Sequence, residues 1–308
     1  MEMRKVFAAE LEQLMHKNKK IFLIDADLAK ASGTMKLREV FPNRAFDVGI
    51  AEQNMASVAA GLSAYGYIPF ITSFTPFASR RICDQVAVSI AYGMQNVKIV
   101  GTDPGIAAEL NGGTHMSFED IAIFRAIPDM VIFEPVDIHQ LKQAMPQIVK
   151  CDKPCYIRMF RKETPEIFTD PKYKFNLFKA DKICDGKDLT IFVSGLCTAD
   201  AIEAKNILAK EGVSVEVINI HTIKPIDKEA IVKSAKKTKR VLVVENHNVY
   251  GGLYSAVCEV LAKECPTKAD VIGIQDQFGE VGKLPQLKER YGMTVSDIVA
   301  KAKELIKQ

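Results

Sequence analysis

The apolar positions along the chain switch repeatedly between two periods. From Met3 to His16, Phe7, Leu11, Leu14 and Met15 share one helical face, and KIFLIDAD then reads as a buried strand from Lys20. AEQNMASVAAGLSAYG reads as a helix, IPFITS as a strand, the stretch to about Tyr92 as helical, VKIVGT as a strand, SFEDIAIFRAI as a helix capped by Ser117, and MVIFEP as a strand. A helix from Asp137 and the strand PCYIRMF complete this run. Short β-branched runs separated by helices predict an α/β fold with a mostly parallel sheet covered on both faces, over residues 1–165.

Residues 166–187 break the rhythm with Pro171 and several lysines, as a connector between domains does. The alternation then resumes on a smaller scale over residues 188–308: DLTIFVSG, a helix from Thr198, VSVEVINI, a helix after Ile226, RVLVVENH, a helix from Tyr250, and DVIGIQD. Two α/β domains are expected. Neither carries a dinucleotide fingerprint or a phosphate-binding P-loop.

Composition narrows the field by exclusion. The 308 residues are 48% hydrophobic and 26% charged, and 41 basic against 38 acidic residues leave a net charge of only +3, interspersed along the chain. That balance gives no electrostatic case for a nucleic acid or an anionic membrane surface. No apolar run approaches membrane-spanning length, and the charged N-terminal stretch lacks the apolar core of a signal peptide. Seven scattered cysteines fit reduced thiols and a cytoplasmic protein. Cys151 and Cys155 lack a second pair or a neighbouring histidine to complete a metal site, so no metal ligand is assigned.

Candidate chemistry concentrates between Phe46 and Asp120. Glu52 stands where DVGI meets a helix rich in alanine, glycine and serine. A carboxyl packed there is either an acid complementing the helix dipole or a desolvated group able to share a proton near neutrality. Phe74 and Phe77, three apart after a strand, are either core aromatics or two ring faces presented to one planar ligand. The loop GTDPGIAAELNGGTHMSFED follows a strand and ends at His115; long glycine-rich loops at strand ends usually carry function, and ligands of parallel sheets gather there.

Taken together, GIAEQNM, the SF..F..R...DQ string, the loop ending in TH, FEDIAIFR, INIHTIKPID and VVENHNVYGG resemble the pyrimidine-binding and C-terminal domains of transketolase, over nearly the whole chain. The resemblance implies that Glu52 hydrogen-bonds the aminopyrimidine of thiamine diphosphate, that Phe74 and Phe77 wall that ring, and that Asp27 lies near the cofactor. It implies that His115 faces the sugar and that Arg161, with Arg4 as a second, binds the substrate phosphate. Many transketolases carry a histidine where Asp103 stands and an acid where Asn111 stands, both contacting the sugar, so these contacts are altered here. The family's GDG motif, which holds magnesium and the diphosphate, is absent.

The resemblance therefore implies the C-terminal subunit of a split transketolase, active in carbohydrate metabolism on sugar phosphates. A separate N-terminal subunit would supply the GDG site and magnesium, two copies of each would assemble, and this chain alone would be inactive. Two other readings stay open: a deoxyxylulose phosphate synthase, which shares IAEQ and the DQ helix, and the beta subunit of a 2-oxo-acid dehydrogenase. Glu245, His247, Gly251 and Gly252 are read as structural, since paired glycines before a helix permit close packing.

Overall fold

The computed structural model describes residues 1–307. The chain forms two compact units: Met1–Pro104 joins Ile123–Leu177, and Gly105–Ala122 joins the residues from Phe178 onward.

In the first unit the predicted alternation begins with α1 (Met3–Lys17) and β1 (Ile21–Asp25). The short helices α2 (Ala29–Ser32) and α3 (Met35–Val40) and the strand β2 (Ala45–Asp47) follow without having been anticipated, and the predicted elements resume with α4 (Glu52–Ala64), β3 (Ile68–Phe74) and β4 (Lys98–Thr102). Beyond the loop come α5 (Asp120–Ala126), β5 (Val131–Phe133), α6 (Ile138–Lys150) and β6 (Cys155–Met159). The strands lie in the order β5-β6-β4-β3-β1-β2, every pair parallel. The chain moves from β1 to one side and returns to the other at β3, so β1 and β3 flank the switch point where open parallel sheets place their ligand crevice.

The first core forms because α1 lays Met3, Val6, Phe7, Leu11 and Met15, which share one face, against Leu141, Ala144, Met145 and Ile148 of α6 and the sheet below. Between β3 and β4 the helical stretch Gln85–Tyr92 is a π-helix, a form that recurs at functional sites. The FEDIAIFR helix starts at Asp120, two residues inside the predicted start. Ser117 does not cap it; its hydroxyl is buried without a hydrogen-bond partner.

The stretch expected to link the domains is instead divided at Leu177. Residues before it are strapped to α6 by side chains of that helix. Asp137 accepts N–H bonds from Ile167 and Phe168 (2.7 and 2.8 Å), Gln143 accepts from Phe175 (3.0 Å), and Gln147 brackets Phe175 and Leu177 (2.8 and 3.0 Å). Residues after it enter β7 (Asp181–Cys184), an edge strand of the second unit.

That unit continues with β8 (Leu189–Val193), α7 (Thr198–Lys210), β9 (Val215–Asn219), β10 (Thr222–Lys224), α8 (Lys228–Thr238), β11 (Arg240–Asn248), α9 (Leu253–Glu264) and β12 (Lys268–Ile274). Helices α10 (Leu284–Arg290) and α11 (Val295–Lys307) follow, neither anticipated, although Ile298, Val299, Ala302 and Leu305 have the spacing of a buried helical face. Its sheet runs β12-β11-β8-β9-β7, parallel except for the β7–β9 pair.

The glycine-rich loop, expected in the first domain, packs with this second unit. Ile106, Ala108, Met116 and Phe118 enter its apolar core beside Leu189, Ile191, Val193 and Leu242. The glycines make the approach possible. A Cβ on Gly113 would lie 2.3 Å from the Gly279 carbonyl oxygen, and one on Gly105 would lie 2.2 Å from the Asn246 side chain. Among the described residues no helix is long and apolar enough to cross a membrane.

Candidate active site

Because every strand pair of the first sheet is parallel, the segments following β1, β2, β3, β4 and β6 emerge along one edge. Asp27 follows β1, Glu52 opens the helix after β2, Phe74 ends β3, Asp103 follows β4 and Arg161 follows β6. The sequence motifs are thereby gathered at the carboxyl ends of the strands, around the switch point.

Glu52 is 3% exposed, held down by small neighbours: Ala56 and Ala59 of its own helix are fully buried. The Ser73 hydroxyl on β3 donates to one carboxylate oxygen at 3.4 Å, and Arg81 Nη1 donates to the other at 2.8 Å. The sequence motifs assign Glu52 no cationic partner; Arg81, in the turn before the π-helix, is that partner. SRRI offers two adjacent arginines, and nothing local says which one turns inward.

Phe74 and Phe77 lie with ring centroids 6.3 Å apart and planes inclined by 47°. They do not form one flat wall. Each ring carries a guanidinium: Arg81 Cζ lies 4.0 Å from the Phe77 centroid and Arg161 Cζ lies 4.8 Å from that of Phe74. Arg81 thus spans ring and carboxylate at once.

Asp103 is buried at 2% exposure with a left-handed backbone (φ 53°), a conformation that aspartate tolerates better than most residues. Its carboxylate forms an ion pair with Arg161 and accepts the Arg161 backbone N–H at 3.2 Å. Arg161 also donates to the Ala31 carbonyl at 3.3 Å, which accepts from Arg4 at 3.1 Å. Arg4 in turn holds Glu2 at 3.0 Å. The two arginines named as anion ligands do converge, but each is already matched to a carboxylate.

Asp27 is exposed, also left-handed (φ 61°), and its N–H donates to Asp47 at 3.1 Å. Asp47 accepts from Gly49 at 2.6 Å and pairs with Arg38 at 2.6 Å, so one side chain ties the loop after β1 to the loop after β2. Burial opposes its ionisation, yet the amides of Gly49 and Asp27 together with Arg38 outweigh that and hold Asp47 below the usual carboxylate range. Arg38 also pairs with the fully buried Asp25, whose carboxyl burial pushes up.

Asn111 and His115 belong to the second unit. Asn111 is exposed; His115 is half-buried, with Nδ1 2.9 Å from the Thr114 hydroxyl. Farther along that unit, Glu245 is fully buried and accepts the N–H groups of Leu253 and Tyr254 (2.6 and 3.0 Å), the first turn of α9. His247 Nδ1 donates to the Asn248 carbonyl at 2.7 Å. A Cβ on Gly252 would lie 2.1 Å from Glu245 Oε2, so this glycine is required by packing. Cys155 is fully buried, and burial pushes its thiol up to about 12.

Comparison with known proteins identifies the family. Residues 1–166 match the family model "Transketolase, pyrimidine binding domain" and residues 178–298 match "Transketolase, C-terminal domain". The chain is 48% identical to a 6-deoxy-6-sulfo-D-fructose transketolase subunit of Clostridium sp. (strain MSTE9), covering 98% of this chain and 94% of that protein. It is 34% identical to one of the subunits of the apulose-4-phosphate transketolase of Phocaeicola vulgatus, over 99% of this chain and 97% of that one. A solved structure described as a split gene transketolase, inactive beta4 tetramer, superposes with a TM-score of 0.92 at 39% identity, covering 100% of this chain and 99% of the other. Two domain matches in tandem and end-to-end relatives of the same length establish that the chain belongs to the transketolase family, as a subunit of the split-gene type.

Proposed function

We propose that this chain is the C-terminal subunit of a two-part transketolase that moves a two-carbon ketol unit from an anionic ketose to an aldose phosphate, and that it works only with a second subunit. The family depends on thiamine diphosphate, which when bound supplies a carbanionic nucleophile for breaking and making bonds beside a ketone. The Glu52 pocket fits the aminopyrimidine of that group: a buried carboxylate and an aromatic face are set so that one flat hydrogen-bonding group, at present the Arg81 guanidinium, meets both. This observation carries the reading.

In it, Glu52 holds a proton at a ring nitrogen of the cofactor and so sets its protonation state. Phe77, with Phe74 behind it, orients the ring and excludes water, and Asp27 borders the same crevice. His115 serves as a proton donor or hydroxyl ligand to the sugar, and Asn111 as a neutral hydrogen-bonding contact that replaces a charged one. Arg161 and Arg4 hold the terminal anion of the substrate. Asp103 acts through Arg161, orienting the guanidinium rather than touching the sugar. Magnesium and the diphosphate belong to the partner subunit, which carries the GDG site; two copies of each chain form the assembly.

Support for dependence on a partner comes from the solved relative described as an inactive beta4 tetramer. Support for an unusual donor comes from the sulfo-fructose and apulose-4-phosphate relatives. The carboxylates matched to Arg161 and Arg4 lower the local charge, which favours a monoanionic sulfonate over a dianionic phosphate.

The test is reconstitution with a GDG-bearing chain, thiamine diphosphate and magnesium, followed by a panel of phosphate- and sulfonate-terminated ketoses. Turnover only in the mixture, with ketose donors, is the expected result. Tight cofactor binding by this chain alone would refute the division of labour, and acceptance of pyruvate as donor would favour a deoxyxylulose phosphate synthase.

A further inference from the structure

The Arg81 side chain takes none of these roles, yet it touches both the Glu52 carboxylate and the Phe77 ring. Its guanidinium is planar, lies 4.0 Å over the Phe77 ring and donates to Glu52 at 2.8 Å. An aminopyrimidine stacked on that ring and hydrogen-bonded to that carboxylate would meet the same two groups, and a delocalised N–C–N fork is close to it in shape and donor geometry. Two planar groups cannot share one ring face and one carboxylate oxygen. Arg81 is also built to leave: its side chain is 41% exposed while Glu52 is 3% exposed, so the cation can return to water and the acid cannot.

We infer that Arg81 is a displaceable cap on the pyrimidine pocket, a built-in competitor that holds the place of the cofactor ring in the unloaded chain and swings out when the ring enters. The inference rests on the proposed role of Glu52 and Phe77. It has two consequences. While the pocket is empty, the buried carboxylate keeps a counter-charge and the exposed ring face stays covered. When the cofactor arrives, part of its affinity is spent on expelling the arginine, so apparent binding is weakened by the fraction of chains that are capped.

The cap is tested in two settings. In the chain alone, denaturant midpoints are measured for Arg81→Met, Glu52→Gln and the double variant. Capping predicts that Arg81→Met lowers the midpoint and that adding Glu52→Gln recovers most of the loss; strictly additive changes would overturn it.

In the reconstituted complex, the Kd for thiamine diphosphate is titrated calorimetrically for Arg81→Met, Arg81→Lys, Glu52→Gln and Phe77→Ala. A competitor predicts that Arg81→Met tightens binding about 3- to 10-fold. Arg81→Lys, charged but unable to stack as a plane, should fall between Arg81→Met and the native chain. Unchanged or weaker binding in Arg81→Met, with Glu52→Gln and Phe77→Ala both several-fold weaker, overturns the cap and leaves the pocket reading intact. If Glu52→Gln and Phe77→Ala bind as tightly as the native chain, the pocket reading itself fails and the cap falls with it.

Discussion

Two of the buried glutamates, Glu52 at the start of α4 and Glu245 on β11 against the start of α9, differ in a way that separates chemistry from architecture. Glu245 receives two backbone N–H groups of α9, and Gly252 is pressed so close that no side chain fits beside it. Those donors cannot leave without unwinding the helix. Glu52 is held by a hydroxyl at the long end of hydrogen bonding and by an arginine that is partly in water. Its partners can be exchanged one for another without disturbing any backbone bond. Burial alone does not mark a reactive acid; burial with replaceable donors does.

The comparison can be broken most directly at Glu52. In the reconstituted enzyme Glu52→Gln should lower kcat by about 10²- to 10⁴-fold, the range for loss of a positioned proton-transfer group, with only a small change in unfolding midpoint. A large stability loss with kcat intact would make Glu52 the structural member of the pair. The mirror experiment is Glu245→Ala, which leaves two helix-start donors buried without an acceptor and should cost about 2–4 kcal/mol in denaturant unfolding. Thiamine diphosphate affinity in whatever folds should be preserved. Gly252→Ala pushes a methyl into the same carboxylate and should cost about 1–3 kcal/mol.

A buried base of the second unit sharpens the point through pH. His221 is fully buried, its Nε2 2.7 Å from the Lys179 carbonyl and its Nδ1 3.0 Å from the Thr222 hydroxyl, and burial lowers its pKa from 6.5 to about 4. The folded chain therefore keeps the ring neutral where the unfolded chain would protonate it. Its stabilising contribution is complete above about pH 6.5 and is lost as pH falls towards about 4, amounting to roughly 3 kcal/mol at most. Denaturant midpoints measured between those limits should decline, and His221→Gln should flatten the decline. If kcat of the reconstituted enzyme followed His221 instead, this histidine would belong with Glu52.

Much of this was legible in the sequence where the signal was local. The two-fold and 3.6-fold periods located the longer strands and most helices but not the short β2, β7 and β10, and parallel α/β alternation implies that motif-bearing loops meet on one edge of the sheet. Glu52, Phe74, Phe77, Asp103 and Arg161 do meet there. What escaped were pairings between residues far apart in the chain. The Arg81 contact with Glu52 and the Asp103 contact with Arg161 depend on which rotamer each long side chain takes once the sheet exists. The straps from α6 to residues 167–177 use glutamines and an aspartate that look like ordinary surface polarity. The loop from Gly105 to Ala122 reads as a connection of the first sheet because it lies between two of its strands, whereas its apolar side chains fill the other core.

That last feature bears on how such a protein can be rearranged. The polypeptide passes from one unit to the other at 104/105, 122/123 and 177/178. A single cut near residue 177 would strand the loop with the wrong half, exposing Ile106, Ala108, Met116 and Phe118 to water and leaving holes in the core they fill. The two domains are thus not interchangeable cassettes. Swapping in a foreign second domain would also mean transplanting the loop between β4 and β5, and with it His115 and Asn111. Any change of the proposed sugar contacts made in that way is tied to the core that supports them.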